Sequence, residues 1–131
     1  MTVPTHFRVA VLVNSKSALD PSFNAAFSRS ISAARPGTQI DFFDPIEAQT
    51  YPEPGRYNLI VLTGGGTADA NAEDIPWVLK MREFLTKTAE TCPKQKITGV
   101  CWGHEIIQIA FGGAIGPMNG PEVCLPLQCV L

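Results

Sequence analysis

The stretch "ITGVCWGHEIIQIAFGG", residues 97–113, joins a β-type run to a helical run through a cysteine that lies between two glycines. Residues 96–100 are predicted to form a short strand, and residues 105–113 a helix closed by paired glycines. Between them, "GVCWG" has the Gly-x-nucleophile-x-Gly form of a sharp strand-to-helix turn, in which bulky neighbours would clash. The stretch therefore predicts that Cys101 projects from a nucleophile elbow at the carboxyl end of a strand.

Strand-like and helix-like segments alternate along the rest of the chain. The predicted segments are strands at 7–14, 39–45 and 57–66, and helices at 20–34 and 75–90. Such alternation is typical of a parallel sheet covered by helices on both faces. The predicted fold class is α/β, a three-layer sandwich around a mostly parallel sheet, and residues 1–131 are expected to form a single domain.

Two glycine-rich stretches follow predicted strands. The 57–66 strand ends in the run Gly64–Gly66, and the 96–100 strand runs into the Cys101 turn. In open α/β sheets the working site lies beyond the carboxyl ends of the strands. We therefore expect both stretches to contribute to one site.

Two further segments carry specific expectations. The 75–90 helix is predicted to bury one face, formed by Trp77, Met81, Phe84 and Leu85. The preceding "AED" (72–74) is predicted to cap that helix. The tail 120–131 mixes β-type residues with a proline, which restricts it to an edge strand at best.

The composition describes a soluble globular protein and disfavours two classes of partner. The 131 residues are 45% hydrophobic and 17% charged, and the formal net charge is −2. This charge gives no basic field, so we expect neither nucleic acid nor an anionic membrane as a partner. The opening "MTVPTHFRVAVLVNSK" lacks a signal-peptide pattern, and no apolar run approaches the length of a bilayer span. We expect a cytoplasmic protein.

The sequence shows no pattern for a metal or a cofactor. The chain has two histidines, His6 and His104, and its four cysteines fit no zinc spacing: Cys92, Cys101, Cys124 and Cys129. The "TGGGTADA" stretch lacks the Gly-Lys-Ser/Thr ending of a phosphate-binding P-loop. We therefore expect free thiols, no metal and no cofactor.

The stretch "GVCWGHEIIQIAFGG" (99–113) resembles the nucleophile motif of class I glutamine amidotransferases, especially stand-alone relatives similar to the amidotransferase domain of GMP synthase. The stretch "LIVLTGGGTADANAEDIPWVLKMREFL" (59–85) is similar to the family's oxyanion strand and loop. The resemblance runs from about residue 7 to the end of the chain. It implies a flavodoxin-like fold and the hydrolysis of glutamine or a γ-glutamyl amide through a cysteine thioester.

The resemblance also assigns expected roles around the cysteine. Cys101 matches the nucleophile, and the backbone N–H of Trp102 matches one oxyanion donor. The second donor is the backbone N–H of Gly65 or Gly66, although the glycine run also has a plain interpretation as a flexible turn. The substrate would be glutamine or another γ-glutamyl small molecule.

The neighbours of the cysteine are expected to support the elbow. Gly99 and Gly103 allow the tight turn, and His104 is interpreted as a structural residue that supports it through a hydrogen bond. Relatives commonly have glutamine at the position of Glu105, where it helps to hold the amino-acid part of the substrate. Here Glu105 is interpreted either as a substrate contact or as a helix former suited to the first turn.

The family's general base, a histidine oriented by a carboxylate in a C-terminal His-x-Glu motif, has no counterpart in this sequence. The resemblance therefore implies that residues 1–131 are a partial, C-terminally truncated domain whose fold is incomplete at the C-terminus. His6 and His104 are poor replacements, so activity of this form is expected to be weak or absent.

Two alternatives stay open: a catalytically dead binding or regulatory protein, and a cysteine hydrolase of the DJ-1/PfpI type. The partner hypotheses are a homodimer through an exposed edge at 122–131 and a separate protein that accepts ammonia.

Overall fold

Four parallel strands form the centre of the protein, as seen in a computed structural model that describes residues 6–15, 21–65 and 67–116. In chain order the elements are β1 (Arg8–Leu12), α1 (Pro21–Ala34), β2 (Gln39–Phe43), β3 (Leu59–Leu62), α2 (Pro76–Thr91), β4 (Lys96–Gly99) and α3 (Trp102–Ala110). The strand order is β2-β1-β3-β4, and every pair is parallel. The predicted α/β class with a parallel sheet is confirmed.

The predicted elements that fall on described residues are all present, mostly with shorter strands. The main difference is α3, which begins at Trp102, three residues before the predicted start. The Glu105 N–H already donates to the Cys101 carbonyl (3.1 Å), so the helix follows the cysteine without a linker. The predicted edge strand at 120–131, and the dimer edge at 122–131, lie outside the described residues.

The two faces of the sheet are covered by different helices. Phe23, Phe27 and Ile31 of α1 pack against one face, whose buried residues are Val9, Val11, Val13 and Val61. On the opposite face, α2 and α3 cover the larger cluster, which includes Leu12, Ile60, Leu62, Met81, Leu85 and Ile106. Because successive strand residues point to opposite faces, the β-branched and aliphatic runs of β1 and β3 supply both clusters.

The start of α2 differs from the prediction of an acidic cap. Its N-cap is Ile75, whose side chain makes no capping hydrogen bond, and Pro76 follows at the first helical position. The Ile75 carbonyl accepts the N–H groups of Val78 and Leu79, both at 3.1 Å. Proline at this position is already preorganised for a helix and has no N–H to satisfy, so the acidic residues are not needed as caps.

The predicted apolar face of α2 is present, with one adjustment. Trp77, Met81 and Leu85 are buried, whereas Phe84 is half-buried at the side of the helix. Val78 and Thr88 complete the buried face. No helix within the described ranges is long and apolar enough to cross a membrane.

Leu85→Ala should lower the free energy of unfolding by about 2–5 kcal/mol, because it leaves a cavity in the core between α2 and the sheet. The matched control is Leu79→Ala on the same helix. Leu85 is 0% exposed and Leu79 is 40% exposed, so the control should cost about 1 kcal/mol or less. Urea denaturation of the two variants measures the difference, and equal losses would contradict the assignment of the buried face.

Candidate active site

Cys101 occupies a tight turn between β4 and α3, called here the 99–103 turn. The turn is held to the neighbouring strand because the Val100 N–H donates to the Leu62 carbonyl (2.9 Å). It closes on itself through the Gly103 N–H, which donates to the Val100 carbonyl (2.9 Å). The chain therefore changes from strand to helix within three residues, and Cys101 lies at the N-cap of α3.

The backbone of Cys101 is strained. Its φ of 54° and ψ of −114° lie in a region that residues with a Cβ rarely adopt. Holding a residue there costs about 1–3 kcal/mol, which the surrounding contacts must offset. The result is a cysteine that is exposed at the carboxyl end of the sheet although its backbone is fixed.

Gly99 and Gly103 allow the backbones to approach this closely. A Cβ on Gly103 would overlap the Leu62 carbonyl oxygen of β3, and a Cβ on Gly99 would overlap the Gly103 carbonyl carbon. Each obstacle is a backbone atom that has no freedom to move aside. The expected requirement for small residues on both sides of Cys101 thus has a direct steric cause.

The register of the sheet brings the glycine run to the cysteine. Leu62 of β3 pairs with Gly99 of β4, so residues two positions further, Gly64 and Cys101, also become neighbours. A Cβ placed on Gly64 would lie 3.1 Å from the Cβ of Cys101. A Cβ on Gly65 would overlap the Asn14 carbonyl oxygen. Gly66 lies outside the described residues.

Asn14 and Thr63 form a buried polar pair beneath this run. Their exposed fractions are 1% and 0%. The Asn14 N–H donates to the Thr63 hydroxyl (2.9 Å), and the Asn14 side-chain amide donates to the Thr63 carbonyl (3.1 Å). The Thr63 hydroxyl in turn donates to the Gly64 carbonyl (3.1 Å). Sequence reasoning missed this pair; the available signal was a polar residue at the carboxyl end of each strand.

The side chain of Trp102, the residue that follows the cysteine, makes its own contacts near the site. The ring is only 4% exposed. It packs against Trp77 with ring centroids 5.1 Å apart, and its indole N–H donates to the Ala68 carbonyl (2.8 Å). The side chain therefore connects the first residue of α3 to the loop that follows the glycine run, a contact that the sequence pattern did not reveal.

The remaining predicted site residues lie on α3. His104 is exposed, and its imidazole makes no hydrogen bond to another described residue. Glu105 is half-buried in the first turn. His6 is exposed just before β1, at the opposite end of the strands from Cys101. Within the described ranges, the structure therefore provides no histidine–carboxylate pair beside the cysteine.

The described residues contain no cluster of three or more His, Cys, Asp or Glu side chains arranged to hold a metal. A cavity of about 350 Å³ does exist, but it lies at the amino ends of the strands. Its lining includes Phe7, Tyr57 and the half-buried Cys92. This cavity and the exposed Cys101 are thus on opposite ends of the sheet.

Cys101→Gly should be more stable than Cys101→Ala by about 1 kcal/mol, because glycine adopts a positive φ without a steric penalty. Cys92, which has an ordinary φ of −140°, provides the matched control. There the order should reverse, with Cys92→Ala the more stable variant. Thermal unfolding of the four variants gives the comparison, and the same order at both positions would argue against strain at Cys101.

The comparisons with known proteins point to one group. No family model matches the chain. It is 34% identical over 122 residues to the glutamine amidotransferase-like protein chyE of Penicillium rubens, covering 91% of this chain and 50% of that protein. The similar protein chry6 of Gibberella zeae is 35% identical over 121 residues, covering 89% and 50%. Gamma-glutamyl peptidase 4 of Arabidopsis thaliana is 32% identical over 93 residues, covering 68% and 35%.

The fold similarity agrees with these sequence relatives. The crystal structure of a glutamine amidotransferase from Thermotoga maritima superposes with a TM-score of 0.57 at 20% identity, covering 82% of this chain and 44% of that one. At this identity the superposition shows a shared fold. The chain spans about half the length of the two fungal relatives. In sequence the chain is similar to glutamine amidotransferase-like proteins over about half of their length, and in fold it is similar to a glutamine amidotransferase.

Proposed function

We propose that this domain binds glutamine or another γ-glutamyl amide and attacks its side-chain carbonyl with Cys101. The observation that carries the proposal is the strained backbone of the exposed Cys101, which lies beside Gly64. Strained residues cluster at active sites, where the fold fixes a geometry that an unconstrained chain would avoid. The names of the curated relatives, glutamine amidotransferase-like protein and gamma-glutamyl peptidase, support this choice of substrate class.

The proposed reaction is an acyl transfer in two steps. The Cys101 thiolate adds to the amide carbon, a C–S bond forms, and the carbonyl oxygen takes up the negative charge. The C–N bond then breaks, the departing nitrogen takes a proton, and ammonia or an amine is released. A γ-glutamyl thioester remains on Cys101. Water adds to the thioester, the C–S bond breaks, and the products are glutamate and the free thiol.

The proposed oxyanion donors are backbone N–H groups on the two segments that meet at the cysteine. Trp102 is the first residue of α3, and the N–H groups in the first turn of a helix have no partner within the helix. The second proposed donor is the N–H of Gly65 or Gly66, in the run whose first residue, Gly64, lies beside Cys101. Preorganised donors of this kind contribute about 3–4 kcal/mol each in comparable enzymes.

We propose that the 131 residues supply the nucleophile and the oxyanion donors but no efficient base. His104 is three residues after Cys101 on an exposed helix surface, and His6 lies at the other end of the sheet. A positioned base and acid contribute about 10²–10⁴-fold to such reactions. The chain should therefore form a covalent adduct readily while it turns over glutamine slowly.

Gly99 and Gly103 maintain the turn, and Glu105 is the proposed contact to the substrate amino group.

The same lack of a base favours a second candidate, a binding or regulatory protein that has kept the turn without catalysis. Such a protein would hold a γ-glutamyl ligand or a partner protein and release no ammonia. A separate protein that accepts ammonia is a partner only under the catalytic proposal, whereas a second copy of the chain is compatible with either candidate. Labelling and turnover measured together distinguish the two candidates.

A glutamine-like diazoketone should modify Cys101 selectively. The thiolate displaces N₂ from the reagent, a C–S bond forms, and one proton is taken up, so intact mass rises by the mass of the reagent less N₂. Cys101→Ala should abolish the adduct, whereas the matched control Cys92→Ala should leave it unchanged. Excess glutamine should slow the labelling, because it competes for the same pocket.

Equal modification of Cys92, Cys124 and Cys129, or no effect of glutamine, would contradict the proposed site. Selective, glutamine-protected labelling without any ammonia release would support the binding protein instead of the enzyme. Ammonia release that Cys101→Ala eliminates would support the hydrolase.

A further inference from the structure

The loop 67–72, which follows the glycine run, is fastened by side chains from two helices. The Trp102 indole N–H donates to the Ala68 carbonyl (2.8 Å). From α2, the Arg82 guanidinium donates to the carbonyls of Ala70 and Ala72, at 2.8 Å for Ala72. Three of the six carbonyls of this loop are therefore bound by side chains of the two helices.

Trp102 is connected to both segments of the proposed oxyanion site. Its backbone N–H is one proposed donor, and the other lies at Gly65 or Gly66. Its indole reaches Ala68, only two or three residues after that second donor. We propose that the indole N–H of Trp102 positions the glycine donor relative to Cys101, so that a single residue supplies one donor and places the other. This inference rests on the proposed function.

The contacts around the glycine run explain why one hydrogen bond has this effect. The start of the run is fixed by the buried bonds between Asn14 and Thr63. Beyond the run, Ala68 accepts the indole N–H, and the indole is itself immobilised by burial and by Trp77. Loss of the Ala68 bond would move the first side-chain anchor after the glycine run from Ala68 to Ala70, and oxyanion stabilisation depends on donors held at fixed distances.

Trp102→Phe is the test, because it keeps the backbone donor and an aromatic ring but removes the indole N–H. Trp77→Phe is the matched control: it makes the same change in the same ring pair without touching the bond to Ala68. Each variant is treated with two reagents. The glutamine-like diazoketone places a ketone oxygen at the oxyanion donors. Iodoacetamide alkylates the thiolate by direct displacement of iodide, a step in which no oxyanion forms.

Trp102→Phe should slow labelling by the diazoketone about tenfold or more. Its rate with iodoacetamide should stay within about twofold of the wild-type rate, since that reaction reports only access to the thiolate. Trp77→Phe should match the wild-type chain with both reagents. The ratio of the two rates is therefore the decisive readout, and a general loss of packing would change both rates together.

A second variant covers the case in which Trp102→Phe fails to fold. Arg82→Met releases the same loop from α2 without altering either tryptophan, and it should lower the diazoketone rate selectively as well. Suppose that the wild-type chain is labelled. The inference is then overturned, and the proposed function stands, if Trp102→Phe reacts with both reagents at the rates of Trp77→Phe. The same holds if Trp102→Phe cannot be purified and Arg82→Met reacts with the diazoketone at the wild-type rate. If the wild-type chain is not labelled at all, the proposed function fails, and the inference fails with it.

Discussion

The close approach of α3 to β3 is the constraint on which the rest of the site depends. Gly103 lies so near the Leu62 carbonyl that any side chain would overlap it, and Gly99 is packed against Gly103 in the same way. The chain must therefore leave β4 and enter the helix within a few residues. The strained backbone of Cys101 is the consequence, because no relaxed conformation makes this change of direction in so short a segment.

Burial of apolar side chains in the core offsets the conformational free energy of the strained Cys101 backbone. A fully buried aliphatic side chain contributes about 1.5–3 kcal/mol, so a single core residue offsets the cost of the Cys101 backbone. The cluster beneath α2 and α3 contains several such residues, including Leu62, Leu85 and Ile106. The same packing fixes the register of the strands, which brings Asn14, Gly64, Gly65 and Cys101 together at the carboxyl end of the sheet.

Polar contacts complete the site where the hydrophobic core ends. Beyond the last buried strand residues, two hydrogen bonds join Asn14 to Thr63, and Trp102 binds the loop through Ala68. Buried polar groups are costly without partners, so these bonds hold the strand ends in one arrangement. The result is a firmly held Cys101 beside firmly held backbone amides, in a chain that spans about half the length of its two fungal relatives.

The sequence by itself determined the order of strands and helices, the parallel sheet and the position of Cys101 between two required glycines. These features are local: periodicity, glycine placement and strand length are written in short segments. It did not predict the start of α3 at Trp102, the uncapped start of α2 at Ile75, or the contacts made by Asn14 and by the Trp102 indole. The two helix starts are set by local bonds and by Pro76, which the apolar periodicity did not resolve. The contacts of Asn14 and of the Trp102 indole were decided only by the tertiary structure, because they join residues 34 or more positions apart in the chain.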